Sequence, residues 1–179
     1  MEPLFPDEIV TARLRLRRPR VDDASAIFAA YAQDPEVCRY MIWKPHESES
    51  VTKEFLVSCA AVWDKGTAFP YVITERSAEV AIGMIDARRH GTTIDMGYVL
   101  ARAHWGKGFM PEAVSELSRV VLQHPQFFRA QAFCDVNNKP SQRTLEKAGF
   151  TREGRLERYA MHPNISSEPS ACFMYSKCR

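Results

Sequence analysis

The stretch AHWGKGFMPEA, from Ala103 to Ala113, sets Gly106 and Gly108 on either side of Lys107, immediately before an amphipathic helical pattern. The first N–H groups of a helix lack internal partners and carry partial positive charge, so an anion placed there is stabilised. Glycine lets the backbone come close to such an anion, and Lys107 adds a formal charge. A strand-to-helix turn that needs only left-handed glycines would use the same residues without any ligand. Two nucleotide motifs can be tested directly. A P-loop needs a hydroxyl after the lysine, and Gly108 stands there; a dinucleotide fingerprint needs a third glycine or alanine where Pro111 stands, and follows the first strand of its unit. Neither fits. Farther along, Asn138 and Ser141 form an N-x-x-S pair. Asn138 is a good helix N-cap, Pro140 suits a first turn, and Ser141 falls at the third helical position.

The elements that must position these groups follow from hydropathy period. Residues 12–17 alternate charge and leucine as a half-exposed strand, and Asp22 or Asp23 caps a helix through about Tyr31. A shorter segment ends at Pro45, and Ser48 or Ser50 opens a long helix with Val51, Phe55, Leu56, Cys59 and Val62 on one face. FPYVITE, EVAIGMIDARR and TTIDMGYVL read as three strands with short turns, paired most simply as an antiparallel meander. Met110, Val114, Leu117 and Val121 then keep helical spacing to about His124. RAQAFCDV is a strand, NNKPSQRTLEKAG a short helix closed by Gly149, and 150–160 and 171–177 are strands flanking the polar loop HPNISSEPS. The expected fold is α/β (α+β), a mixed and mostly antiparallel sheet of about seven strands flanked by helices. No linker or repeat divides it, so residues 1–179 are expected to form a single domain.

Composition limits the function. With 179 residues, 45% of them hydrophobic, the chain can fill one sizeable core. Its 24 basic and 22 acidic residues leave a net charge of +2, which argues against electrostatic binding of nucleic acid. The one basic cluster, Arg13 to Arg20, reads as the wet face of a strand. Five cysteines without C-x-x-C or regular spacing to histidine indicate neither a disulfide framework nor a metal site, and are read as buried small apolar side chains in a reducing compartment. No secretory leader or membrane span is recognised, so a cytoplasmic location without membrane partners is expected.

The window Ala103 to Gly108 resembles the pyrophosphate loop [QR]-x-x-G-x-[GA] of the GNAT superfamily of N-acetyltransferases, with Ala103 in place of the leading Gln or Arg. GYVLARAHWGKGFMPEA and NNKPSQRTLEKAGF are similar to stretches of the ribosomal-protein N-terminal acetyltransferases within it, and the element order matches from residue 11 to 177. The resemblance implies acetyl-CoA as co-substrate and a primary amine as acceptor, either a peptide N-terminus or a small molecule. It implies that Val99 and Leu100 offer backbone groups to the coenzyme A arm. The amides of His104, Trp105, Gly106, Lys107, Gly108, Phe109 and Met110 would hold the pyrophosphate. Asn138 and Ser141 would lie beside the arm and sulfur, with Ser141 protonating the leaving thiolate. Tyr98 is expected to pack its ring in the core with Ile94 and Met96.

The proton acceptor has several candidates. Asp95, on the strand face opposite Ile94 and Met96, is the leading one, directly or through water; a solvated strand carboxylate is the alternative. Some relatives carry a glutamate near residue 160, where this chain has Ala160, and Glu157 and His162 are nearby substitutes. Tyr40, Met41, Trp43 and His46 would form one wall of the acceptor pocket and HPNISSEPS, with His162, the other; Trp43 is equally a core residue. An α-amine with a pKa near 8 costs about 3.4 kcal/mol less to deprotonate than a lysine near 10.4, which mildly favours the former if the base is weak. An acyl-CoA-binding module without turnover, and either a monomer or a homodimer, remain open.

Overall fold

The computed structural model describes residues 4–179. The chain opens with β1 (Glu8–Val10) and β2 (Leu14–Arg17), followed by a helical segment over 21–32 whose middle is α1 (Ala24–Ile27). Two further helices, α2 (Pro35–Cys38) and α3 (Glu49–Asp64), lead into the meander β3 (Ala68–Glu75), β4 (Ala81–His90) and β5 (Thr93–Leu100). Then come α4 (Phe109–Gln123), β6 (Arg129–Asp135), α5 (Lys139–Lys147), β7 (Thr151–Ala160) and β8 (Ser170–Cys178).

All eight strands join one sheet in the order β1-β2-β3-β4-β5-β6-β8-β7. The strand beyond the expected seven is β1, which pairs Ile9 with Leu16. Three residues are too few to display a period of two. Every pairing is antiparallel except β5 with β6, and that one covers only Thr93–Asp95 against Arg129–Gln131. Beyond this contact the two strands part: β5 stays paired with β4 to Leu100, and β6 stays paired with β8 to Asp135. A parallel pair that separates halfway leaves a cleft in the middle of the sheet, and the site is built there.

One core cluster joins β-strand residues such as Ile85, Ile94 and Met96 to Val114, Leu117 and Val121 of α4 and Leu145 of α5. A second packs Ile27, Tyr31, Leu56 and Cys59 on Val72 and Met84. The α4 stripe is the one its spacing predicts. The α3 face is not. Val51 and Phe55 are exposed, and the buried stripe runs Thr52, Leu56, Cys59 and Trp63. Trp63 is drawn inward by edge-on contacts with Phe69 and Tyr71, with ring centroids 5.4 and 4.9 Å away.

Two other expectations change at β2. Its arginines are not uniformly wet: Arg17 is buried and forks onto Asp23 at 2.9 and 2.6 Å. Asp23 also accepts the Arg20 N–H at 2.7 Å, so it closes the helix start from within the first turn rather than preceding it. Removing one member of such a buried pair would cost about 3–5 kcal/mol, because the other charge is left without a partner. Of the cysteines, four are buried and Cys178 is exposed.

Candidate active site

Two cavities meet in the cleft between β5 and β6. The first, about 430 Å³, runs from Gly106, Gly108 and Met110 past Leu100 to Pro140, Arg143 and Lys147 on α5. The second, about 370 Å³, lies between the 27–46 region, β4, β5 and β6, and reaches His162. Tyr40, Met41, Tyr98, Val99, Asn138 and Ser141 line both.

The glycine loop is shaped to hold an anion. Gly106 and Gly108 have φ of +76° and +77°, a left-handed conformation that residues with a Cβ avoid. The amides of Gly106, Lys107, Gly108, Phe109 and Met110 have no backbone partner among the described residues. The amides of His104 and Trp105, expected to join them, are already used: they donate to Ala101 and Arg102 carbonyls at 2.9 and 3.1 Å in a tight turn. Residues 104 and 105 contribute side chains instead. Both line the cavity, and the Trp105 indole N–H donates to the Leu100 carbonyl at 2.8 Å.

Ala103 lacks the side chain that would brace this loop, and a residue far away in sequence does it. Arg13, just before β2, donates from its guanidinium to the Lys107 carbonyl at 2.8 Å and to Glu112 of α4 at 2.7 Å, and lies over the Phe109 ring. Glu112 also accepts the Arg13 amide at 2.9 Å and the Thr11 hydroxyl at 2.6 Å, which together hold its carboxyl below the usual range against the effect of burial. The sequence signal for this brace was one arginine in a basic cluster, which does not single it out.

At the junction of the cavities, the Tyr98 hydroxyl and Ser141 Oγ are 2.7 Å apart. Burial raises the Tyr98 phenol well above its ordinary pKa, so it stays protonated, and its ring packs against the core. Asn138 caps α5, its Oδ1 accepting the Ser141 amide at 3.2 Å. That bond fixes the first turn of α5 and so the direction of the serine. Cys134 also lines the second cavity; burial pushes its thiol to about 12, which leaves it un-ionised and unsuited to nucleophilic attack.

The proton-acceptor candidates separate. Asp95 lines neither cavity; it accepts from Gln131 at 2.5 Å and sits 3.1 Å from His90, near the start of β5. Glu157 also lines neither, and pairs with Arg155 at 2.6 Å on the exposed face of β7. His162, by contrast, is only 2% exposed and lines the second cavity. Its Nδ1 lies 2.6 Å from Ser170 Oγ and 3.6 Å from the Asp135 carboxylate, while Nε2 has no hydrogen bond among the described residues. Burial lowers its pKa, partly opposed by Asp135, so the ring is neutral at neutral pH.

Of the two walls expected for the second cavity, the first is present, whereas the loop HPNISSEPS contributes only His162 to the lining. Tyr40, Met41, Trp43 and His46 line it, with Trp43 and His46 rings 5.3 Å apart. Asn164, from the loop after β7, donates to the carbonyls of Cys38 at 2.6 Å and Trp43 at 2.8 Å, which ties one wall to the other. Sequence reasoning missed Tyr31, Asp86, Arg88 and Phe133, which also line it. The side of the sheet that Asp86, Arg88 and Phe133 face is set by pairings between strands, and Tyr31 comes from the helical segment packed on it, neither of which local spacing reveals.

A free amide nest, a flanking pair of cations in Arg143 and Lys147, and an apolar channel to Ser141 fit the pyrophosphate and arm of an acyl-CoA. The splayed sheet with this nest at the N-terminus of α4 defines an acyltransferase type of α/β fold. The chain belongs to the GNAT acetyltransferases, whose domain matches residues 13–151. The uncharacterized N-acetyltransferase p20 of Bacillus licheniformis is 31% identical over 158 residues, spanning 86% of this chain and 87% of p20. Among solved structures, RimJ of Mycobacterium smegmatis in complex with CoA-disulfide has a TM-score of 0.87 at 21% identity, over 99% of this chain and 90% of RimJ. The microcin C7 self immunity acetyltransferase MccE, in complex with acetyl-CoA and AMP, has a TM-score of 0.86 at 22% identity over 99% of both chains.

Proposed function

We propose that this protein transfers the acetyl group of acetyl-CoA to a primary amine by direct attack, with both substrates bound at once. The observation that carries this reading is the meeting of two cavities at Tyr98 and Ser141, one suited to a polyanionic arm and the other closed by aromatic walls. Acetyl-CoA supplies the activated acyl group. The amides of Gly106 to Met110 hold its diphosphate, and the backbone near Val99 and Leu100 guides its arm to the junction. Tyr98 donates to Ser141, and Ser141 gives a proton to the departing thiolate. His162, held through Nδ1 by Ser170 and Asp135, takes the proton of the attacking amine at Nε2, in place of Asp95.

Thiol release on incubation with acetyl-CoA and a panel of peptide and small-molecule amines tests this. Release that depends on an amine, with the acetylated amine found by mass spectrometry, is the expected result. Coenzyme A binding without amine-dependent release would instead make the protein a binding module.

A further inference from the structure

The acceptor cavity is largely apolar, with Trp43, Phe55 and Phe133 among its walls, yet its lining includes two buried polar atoms without a hydrogen-bond partner among the described residues. One is Asp86 Oδ1 on β4; the other is the hydroxyl of Tyr31, a residue only 2% exposed. The other carboxylate oxygen of Asp86 is engaged, since Arg88 reaches Oδ2 at 3.4 Å. Arg88 lies across Gly97, where a Cβ would come within 3.0 Å of its guanidinium. The pairing of Asp86 with Gly97 therefore gives the guanidinium room to hold one oxygen and leave the other free. A buried polar group without a partner is costly, and proteins keep such groups where a ligand completes them. A carboxylate oxygen can only accept, so what completes it must donate. The Tyr31 phenol can either accept or donate.

Building on the acetyl-transfer reading, we infer that the acceptor is a small amine that carries, on an apolar body, a second hydrogen-bond-donating group, a hydroxyl or an ammonium, which binds Asp86 and Tyr31. Asp86 thus sets specificity rather than moving the proton of the reacting nitrogen. Sites that hydrogen-bond a substrate group discriminate strongly against analogues that lack it, because the site is then left unpaired.

The test uses four amines of one skeleton: phenethylamine, 4-methoxyphenethylamine, tyramine, and the analogue with an aminomethyl group in place of the phenolic hydroxyl. A short peptide with a free N-terminus is added as a fifth. The wild-type protein is expected to favour the two donor-bearing amines at least 10-fold in kcat/KM over the other pair. Asp86→Ala should bring all four within about 2-fold, Asp86→Asn should keep the hydroxyl preference and lose the ammonium preference, and Tyr31→Phe should weaken the hydroxyl preference. Retained thermal protection by coenzyme A shows that each variant is folded. Equal use of all four by the wild type, an unchanged preference in Asp86→Ala, or acetylation of the peptide alone would overturn the inference. Absence of amine-dependent thiol release with all five would instead remove the acetyl-transfer reading beneath it.

Discussion

Ser141 and His162 divide the proton traffic of the proposed reaction, and their surroundings differ accordingly. Ser141 is 2.7 Å from a phenol that burial keeps protonated, so it can give a proton and be resupplied. His162 is kept neutral by burial, so it can take one. Ser141→Ala should lower kcat about 10²-fold with little change in the KM for amine, since the hydroxyl would act mainly on the leaving thiolate. His162→Gln should lower kcat/KM by a similar factor. It should also remove the acidic limb of the pH–rate profile, which in the wild type falls as pH drops through a histidine pKa held below 6.5. A limb that survives in the variant would assign the proton to another group. The serine was legible in the sequence because an i, i+3 relation at a helix start is local. The choice among Asp95, Glu157 and His162 was not, because strand alternation gives the face of the sheet but not the distance to the cleft.

Among the elements, the N-terminus of α4 depends on both its glycines and its brace. Gly108→Asp should abolish coenzyme A protection against thermal unfolding, because φ is +77° there and a carboxylate would face the diphosphate. Arg13→Met removes the contacts to Lys107 and Glu112 while keeping an apolar chain beside Phe109. We expect coenzyme A affinity, measured by calorimetry, to fall about 10-fold; no change would mean that the loop holds its shape unaided. The helix itself was predictable from Met110, Val114, Leu117 and Val121. The brace was not, since it joins residues 94 and 99 positions apart. The α3 misreading has a similar origin: two faces of that helix are apolar, and only packing on Phe69 and Tyr71 selects the one bearing Trp63.

Across the whole molecule, titrating groups report on how the sheet is closed around the cleft. Glu153 of β7 is held at about 2, below its ordinary 4.5, by Arg129 and by Ser176, which link the neighbouring strands. A depressed carboxylate contributes stability that is present above 4.5 and lost as pH falls toward 2. His46 and His162 are lowered by burial, so their protonation opposes folding and stability declines as pH falls below 6.5. Asp86, raised by burial, acts in the opposite sense, because its ionised form is the one the fold disfavours. The melting temperature should therefore fall in two stages on acidification, and Glu153→Gln should shrink the second while leaving the first. A pH series of thermal unfolding scans on both proteins checks this; identical curves would show that the β7 link contributes nothing.

The sequence by itself determined which segments are helices and strands, β1 apart, where the glycine loop lies and which serine follows it, because periodicity, caps and glycine conformations act over a few residues. Tertiary structure alone decided that β5 and β6 part after Asp95 and Gln131, that Arg13 supports the loop, and that Asp86 joins His162 in lining the second cavity. Those relations depend on strand register and on which faces are pressed together. Both follow from packing the whole chain at once, which no short window of residues records.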